Sequence, residues 1–310
     1  MFINLSSMDY LNGLNEPQLE GVTNTEGPSM IIAGAGSGKT RVLTYRIAHL
    51  INSKNIDPFN ILALTFTNKA AQEMRKRIEK VVGTDARNLW MGTFHSVFAR
   101  MLRAEAGRLG YPSNFTIYDT DDSKSLIRSI VREMGLDDKL YKANVVLNRI
   151  SGAKNRLVSW QEYITNPLYQ ADDIENMKPE MGKIYKTYVQ RCFKADAMDF
   201  DDLLFNTNVL FKDHPDVLNK YQHRFKYVLV DEFQDTNLSQ YLITKKLSAV
   251  HQNIAVVGDD AQSIYAFRGA DIQNILNFEK DYPDLFVVKL EQNYRSTGRI
   301  LKLADAMSDG

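Results

Sequence analysis

The sequence predicts an α/β fold in which helices cover both faces of a parallel sheet. Short apolar runs alternate with segments whose apolar residues recur at helical spacing, which is typical of this class. A glycine-rich turn also joins the first apolar run, Met30 to Ile32, to a helical segment that starts at Arg41. Residues 111–197 differ, since they contain helical segments and no convincing strand. We therefore expect an all-helical insertion within the α/β domain.

The first part of the α/β domain is expected at residues 1–110. Its first helix begins near Leu14, with Asn15 as the cap and Pro17 in the first turn. The strands predicted in this part are 30–32, 61–66 and 89–91. The helices predicted in this part are 14–22, 41–51, 67–82 and one that follows residue 96 and ends near residue 109. Since strands and helices alternate, we expect the strands to lie parallel.

The insertion is expected at residues 111–197, and the α/β domain is expected to resume at 198–310. The helices predicted in the insertion are 121–134, 142–153 and 178–195. The later strands are expected at the start of three segments, 227–237, 253–270 and 285–297, and a last helix at 298–307. The chain therefore predicts one interrupted α/β domain and one inserted subdomain.

Composition excludes several classes of protein. The 38 basic and 38 acidic residues give zero net charge, so any nucleic-acid site must be a local patch. Cys192 is the single cysteine, which excludes an intramolecular disulfide and a cysteine-rich metal site. No apolar run approaches membrane-spanning length, and the N-terminus lacks the features of a signal peptide. We expect a cytoplasmic protein with no membrane partner.

The glycine-rich turn has the pattern of a phosphate-binding loop. Its residues are Ala33, Gly34, Ala35, Gly36, Ser37, Gly38, Lys39 and Thr40. Glycines leave backbone N–H groups free to close around phosphate oxygens, and the following helix adds the positive end of its dipole. Lys39 would reach the β- and γ-phosphates, and the Thr40 hydroxyl would bind Mg²⁺. Ala33 stands where the usual pattern has glycine, at a position that needs only a small residue. The alternative is a glycine-rich loop with a chance Lys-Thr pair.

Two acids follow the apolar run that ends at Val230. Strand ends of open α/β sheets are where ligands bind, so Asp231 is a candidate ligand of Mg²⁺ and Glu232 a candidate general base for an attacking water. Many strands end in surface acids, so this pattern indicates a site only together with the phosphate-binding loop.

A second set of candidates follows the last two predicted strands. Gln262, Tyr265, Phe267 and Arg268 lie on one loop, where aromatic rings and a guanidinium could stack on unpaired bases. The alternative, that the rings form local core under the loop, stays open. Tyr294 and Arg295 follow the next strand, and Arg295 could neutralise a γ-phosphate or form a surface ion pair.

These residues together resemble the UvrD/Rep/PcrA group of superfamily 1 DNA helicases. The resemblance rests on eight motifs in the order of that family and covers nearly the whole chain from Leu14 onward. The motifs are LNEPQ at 14–18, AGAGSGKTR at 33–41, LTFTNKAAQEM at 64–74, GTFHS at 92–96, DFDDLL at 199–204, LVDEFQDTN at 229–237, VGDDAQSIYAFRGAD at 257–271 and LEQNYRST at 290–297.

The resemblance implies a RecA-like domain, called 1A in the family, with a helical insertion called 1B. It also implies roles for single residues. Gln18 would read the adenine edge of ATP, with Arg41 and Tyr294 beside the base. Gln262 and Arg295 would contact the γ-phosphate. The residues that would contact bases or the track of single-stranded DNA are Phe66, His95, Phe200, Tyr265, Phe267 and Arg268.

Two departures from the family pattern affect these expectations. Phe267 stands where these helicases usually carry tryptophan, so a stacked base should be held less strongly. The sequence stops at Gly310, before the family's second RecA-like half, domains 2A and 2B. We therefore expect the ATP-binding half of a 3′–5′ DNA helicase, with Mg²⁺ and ATP as cofactors.

The expected partners are single-stranded DNA, 3′-tailed duplex DNA and the missing half of the same protein. Unwinding by this chain alone should be weak or absent. The alternatives are a nucleotide- or single-strand-binding module without motor activity, a truncated partner subunit and, less favoured, a nuclease-fused recombination helicase.

Overall fold

The computed structural model describes residues 10–34, 36–259 and 273–292. Its contacts divide the chain into two compact units. Unit 1 comprises Met1–Phe94, Lys220–Thr236 and Thr244–Gly310, and unit 2 comprises His95–Asn219 and Asn237–Ile243. The predicted domain boundaries after residues 110 and 197 stay a prediction.

The strands in the described part of the chain are β1 Ser29–Ala33, β2 Ile61–Thr65, β3 Trp90–Thr93, β4 Thr116–Tyr118, β5 Ala197–Asp199, β6 Tyr227–Val230, β7 Ile254–Gly258 and β8 Phe286–Leu290. The α-helices of the same residues are α1 Glu16–Thr23, α2 Lys39–Asn52, α3 Asn68–Val82, α4 Phe94–Glu105, α5 Thr120–Glu133, α6 Ala143–Asn155, α7 Trp160–Thr165, α8 Pro167–Glu175, α9 Met181–Lys194, α10 Phe200–Asp213, α11 Pro215–Arg224, α12 Leu238–Ser248 and α13 Gln273–Asp281. None of these helices is long and apolar enough to cross a membrane.

Unit 1 contains a six-stranded sheet in the order β3-β2-β6-β7-β1-β8, and every neighbouring pair is parallel. Helices flank this sheet, which confirms the predicted α/β class. Alternate strand residues such as Ile31, Ala63 and Leu229 share one core with Val42 of α2 and Met74 of α3. Because the strands run the same way, their carboxyl ends meet at one edge of the sheet.

Unit 2 is built mainly from helices. Its core is formed by α5, α6, α7 and α9, with Ile127, Ile150, Tyr163 and Tyr188 among the fully buried side chains. The prediction of an all-helical insertion was wrong in one detail, because β4 lies within it and pairs in parallel with β5. Its three residues are exposed or half-buried, so no apolar run marks them in the sequence. The strand exists because residue 116 meets residue 197 in the fold.

The element boundaries follow the sequence closely at the start of the chain. Asn15 caps α1 in a capping box with Gln18, and Pro17 lies in the first turn, as predicted. β3 ends at Thr93 and α4 begins at Phe94, so the strand passes directly into a helix that was expected only after residue 96. The predicted helix at 298–307 lies outside the described residues.

Candidate functional site

The candidate nucleotide site lies in unit 1, where three neighbouring strands end. β1 leads through residues 34–38 into α2, β6 is followed by Asp231 and Glu232, and β7 is followed by Asp259. Since the sheet order is β6-β7-β1, these three strand ends are adjacent. The sheet therefore gathers the predicted phosphate-binding loop and the predicted acids at one edge.

The loop between β1 and α2 has the backbone that its glycines predict. Gly36 and Gly38 have φ of 81° and 96°, values that L side chains rarely adopt. The Ser37 hydroxyl donates to the Gly34 carbonyl at 2.7 Å, which closes the turn. A Cβ atom on Gly38 would lie 2.9 Å from Nε2 of Gln18, so the Gln18 amide would have to shift. The loop thus needs glycine at Gly38 for its conformation, and a side chain there would displace Gln18.

Lys39, the first residue of α2, is held between two carboxylates. Its Nζ lies 3.3 Å from Oε2 of Glu232 and 3.2 Å from Oδ2 of Asp259. The Lys39 side chain is 11% exposed and that of Asp259 is 1% exposed, so water screens their attraction little. The structure therefore brings together the predicted Lys39 and Glu232 with an acid that we did not predict.

Asp231 and Glu232 have different environments. Asp231 is buried, and burial together with the Glu232 carboxylate raises its pKa to about 7. Its Oδ1 accepts the backbone N–H of Glu232 at 3.1 Å. Glu232 has φ of 49° and ψ of 48°, a left-handed conformation that is uncommon for a residue with a side chain. This conformation makes the chain turn sharply after β6. The side chains of Asp231 and Glu232 therefore lie in different parts of the site.

The predicted magnesium ligands have the chemistry that this ion prefers. Thr40 lies half-buried in the first turn of α2 and offers a hydroxyl oxygen, and Asp231 offers a carboxylate. A buried carboxylate with a like-charged neighbour favours a cation beside it. These residues fit a magnesium ion.

Gln234 and Asp259 are site residues that sequence reasoning missed. Gln234 donates from Nε2 to Oε2 of Glu232 at 2.9 Å, and its Oε1 accepts the backbone N–H of Asp259 at 3.1 Å. Lys39, Glu232, Gln234 and Asp259 therefore form a closed ring of polar contacts across the ends of β6 and β7. The sequence held a signal for Asp259, because it follows an apolar strand just as Asp231 does.

Gln18 contacts the phosphate-binding loop directly. Its Nε2 donates to the Ser37 carbonyl at 3.0 Å, and its Oε1 accepts the backbone N–H of Asn15 at 3.3 Å. A side-chain amide has a second donor hydrogen and a second acceptor lone pair, so Gln18 keeps capacity for a ligand. Arg41 is half-buried, with its guanidinium carbon 5.4 Å from the centre of the Tyr45 ring. The structure thus brings two of the three predicted base-binding residues to α1 and α2.

The predicted DNA contacts that are described lie in both units. In unit 1, Phe66 follows β2 and packs against Phe94 with ring centres 5.5 Å apart. In unit 2, His95 and Phe200 form an edge-on pair with ring centres 5.8 Å apart. Phe200 begins α10 and is 50% exposed, which a ring that stacks on a base requires. Burial lowers the pKa of His95, which favours a neutral ring.

Several predicted site residues lie outside the described residues. They are Ala35, Gln262, Tyr265, Phe267, Arg268, Tyr294 and Arg295. Their roles stay predictions.

Comparison with known proteins supports the resemblance. The UvrD/REP helicase N-terminal domain family matches residues 14–283. The chain is 48% identical over 303 residues to the ATP-dependent DNA helicase PcrA of Bacillus subtilis (strain 168), which covers 98% of this chain and 40% of that protein. It is 47% identical over 295 residues to PcrA of Staphylococcus aureus (strain Mu50), covering 95% of this chain and 40% of the relative. The chain thus spans about two fifths of the length of these relatives. The family match begins just before α1, which carries Gln18, and ends just after α13. The chain therefore belongs to the UvrD/REP helicase N-terminal domain family.

Proposed function

We propose that this chain is the N-terminal, ATP-binding part of an ATP-dependent 3′–5′ DNA helicase, and that it binds Mg·ATP and single-stranded DNA. The observation that carries the proposal is the position of the Lys39 ammonium beside Glu232 and Asp259, at the edge where β1, β6 and β7 end. A lysine that follows a glycine-rich loop and faces a strand-end carboxylate is the arrangement that phosphoryl transfer uses.

Each part of the site has a role in this proposal. The backbone N–H groups of residues 34–38 and the start of α2 bind the phosphates, and Lys39 neutralises their β- and γ-oxygens. Thr40 and Asp231 would hold Mg²⁺, which would supply positive charge to the transferring phosphoryl group. Glu232 orients the attacking water and accepts its proton.

The ring of polar contacts gives nucleotide binding a second effect. The Lys39 ammonium holds the Glu232 carboxylate in an ion pair at 3.3 Å. Phosphate oxygens that take over the Lys39 ammonium release Glu232 from this pair. Gln234 also donates to Glu232 at 2.9 Å, and this contact keeps the carboxylate oriented after Lys39 binds the phosphates.

The proposed DNA contacts are the aromatic side chains. Phe200 exposes half of its surface, and Phe66 is half-buried beside Phe94. Aromatic faces stack on bases of any sequence, which suits a protein that moves along a single strand. We assign 3′-tailed duplex DNA and a second RecA-like half, domains 2A and 2B, to the whole helicase. Residues 1–310 by themselves should hydrolyse ATP slowly and should not unwind duplex DNA.

The experiment is ATP hydrolysis by this chain with Mg²⁺, with and without oligo-dT. Lys39→Ala serves as the blank, and Lys54→Ala, which changes an exposed lysine just after α2, serves as the matched control. Hydrolysis that exceeds the blank, rises with oligo-dT and survives in Lys54→Ala supports the proposal. Binding of ATP without hydrolysis in either condition favours a nucleotide-binding module without motor activity. Absence of ATP binding overturns the proposal.

A further inference from the structure

Arg46 is a buried guanidinium in the middle of α2, away from the loop. Its side chain is among the largest fully buried ones, and the residue is 2% exposed. Nη1 donates to the Gly21 carbonyl at 2.8 Å, and Nη2 donates to the Ser29 hydroxyl at 3.0 Å. Burial lowers its pKa to about 10, so the group stays protonated at neutral pH. The core therefore contains a full positive charge.

The contacts of this charge are unusual for a buried arginine. Buried charges are normally paired with an opposite charge, and the carboxylate that attracts Arg46 is that of Glu26, which partly offsets the effect of burial on the pKa of the guanidinium. Both hydrogen-bond acceptors are neutral oxygens, and they belong to different elements: Gly21 to the last turn of α1, and Ser29 to the start of β1. The planar fork of a guanidinium can reach two such acceptors at once, whereas an ammonium is a point charge. The contacts thus join α1, α2 and β1.

The contact with α1 occurs where α1 packs closely against α2. A Cβ atom on Gly21 would lie 3.0 Å from Cγ1 of Val42, so glycine allows α1 to pack tightly on α2. The Gly21 carbonyl belongs to the last turn of α1, where carbonyls have no partner within the helix. Arg46 supplies the missing donor. It therefore caps one helix from the middle of another.

The elements joined by Arg46 are those that frame the proposed base-binding residues. Gln18 lies on α1, one turn before Gly21, and β1 runs from Ser29 directly into the phosphate-binding loop. The contact between Gln18 and Ser37 joins α1 to that loop at the other end. Two hydrogen bonds, one from Gln18 and one from Arg46, therefore hold α1 at two points along its length.

We propose that Arg46 is a positioning residue for recognition of the nucleotide base. It fixes α1 against α2 and β1, and so keeps Gln18 at the distance from the phosphate-binding loop that contact with the base requires. The inference rests on the proposed function, since it assumes that the site binds ATP. Arg46 touches neither the phosphates nor the base, so its loss should change which base is preferred. The phosphate-binding loop itself should be unaffected.

The test measures the dissociation constants of Mg·ATP, Mg·GTP and inorganic tripolyphosphate for the full chain by calorimetry. We expect the wild-type chain to prefer ATP over GTP and Gln18→Ala to abolish that preference. Arg46→Met should reduce the ratio of the GTP and ATP constants about threefold to tenfold, the effect of one misaligned hydrogen bond. Tripolyphosphate, which has no base, should bind Arg46→Met within about twofold of the wild-type value.

The matched control is Ile47→Ala, which truncates a fully buried side chain at the next position of α2 and removes no hydrogen-bond donor. It should lower the melting temperature and keep the base preference. If Arg46→Met lowers the melting temperature but keeps the wild-type ratio, Arg46 is only a structural residue and the inference is wrong.

Milder variants cover the case in which Arg46→Met does not fold. Arg46→Lys keeps the charge without the fork, and Ser29→Ala removes one of the two acceptors, so both should reduce the base preference in part. A preference unchanged in both variants overturns the inference. A wild-type chain that binds ATP and GTP equally overturns it too while leaving the proposed function intact, whereas one that binds neither refutes the proposed function itself.

Discussion

The strongest prediction about stability concerns Lys154, at the end of α6 in unit 2. Its ammonium lies 2.7 Å from Oδ2 of Asp199 and 2.8 Å from Oδ1 of Asp202, and its side chain is 1% exposed. Tyr188 donates a further hydrogen bond to Asp199 at 2.8 Å. Replacing Lys154 by methionine keeps most of the volume and removes the charge, which leaves two buried carboxylates without a cation. We expect Lys154→Met to lower the free energy of unfolding by about 3–5 kcal/mol.

Lys183 provides a matched control in the same unit. It pairs with Glu180 at 2.7 Å, the same distance as the Lys154–Asp199 pair, but its side chain is 69% exposed. Since water screens an exposed pair, Lys183→Met should change the free energy of unfolding by less than about 1 kcal/mol. The two variants therefore separate the effect of burial from the effect of pairing.

The assay is urea unfolding followed by tryptophan fluorescence. The chain has two tryptophans, Trp90 in β3 of unit 1 and Trp160 in α7 of unit 2. A Trp90→Phe background leaves Trp160, which packs against the core of unit 2, as the single reporter for all variants. A loss in Lys154→Met no larger than that in Lys183→Met would refute the reasoning.

The same variant should show a characteristic dependence on pH. Burial, together with the Asp199 carboxylate, already raises the pKa of Asp202 to about 7 in the wild-type chain. Loss of the Lys154 cation raises it further, so above about pH 7 the folded variant keeps a proton on Asp202 that the folded wild type and the unfolded chain have released. Stability must then fall as the pH rises. We expect the penalty of Lys154→Met to be larger at pH 8 than at pH 5, and an equal penalty at both values would contradict this assignment.

Three further predictions concern the candidate site. Gly38→Ala should weaken binding of Mg·ATP at least tenfold in calorimetry, because the new Cβ atom would lie 2.9 Å from Nε2 of Gln18 on a backbone with φ of 96°. An affinity within about twofold of the wild-type value would refute this prediction. Gln234→Leu should reduce ATP hydrolysis about tenfold or more, since Glu232 loses its orienting contact, while the dissociation constant of ATP changes little; a fall in both would show that Gln234 supports the loop instead. Phe200→Ala should weaken binding of oligo-dT by about 1–3 kcal/mol in fluorescence anisotropy at an unchanged melting temperature, and a lowered melting temperature without loss of binding would make the ring a packing residue.

Much of the candidate nucleotide site could be predicted because its signals are local. The glycines before Lys39 predict the turn, and the apolar strand before Asp231 predicts where the carboxylates lie. Asn15 and Gln18 predict their own capping box, because both partners lie within one helical turn. In each case the residues that determine the feature are close in sequence, so a short stretch of sequence is enough to predict it.

Contacts between distant segments could not be predicted in the same way. Gln234 joins Glu232 to Asp259 because β6 and β7 are neighbours in the sheet. The spacing of apolar residues predicts where strands lie in the sequence, but it does not predict their order in a sheet. The pairing of β4 with β5 spans most of unit 2, and β4 alone has no apolar run. In the sequence, Arg46 has the pattern of an ordinary polar residue of an amphipathic helix. Its burial and its two hydrogen-bond acceptors are known only from the structure.

The strand order of unit 1 has a consequence for synthesis of the chain on the ribosome. β1 carries the phosphate-binding loop at its end, yet Ile31 pairs in the sheet with Val257 of β7 on one side and Val288 of β8 on the other. Roughly 220 residues separate β1 from the first of these partners, which at about 5–20 residues per second means a wait of roughly 10–40 s. During that interval the strand has no place in a sheet, and its exposed apolar edge is a site for chaperones. The predicted phosphate-binding loop, although it lies near the start of the sequence, is therefore among the last parts of unit 1 to take its final form, and a nascent chain should become able to bind nucleotide only after residue 290 has left the exit tunnel.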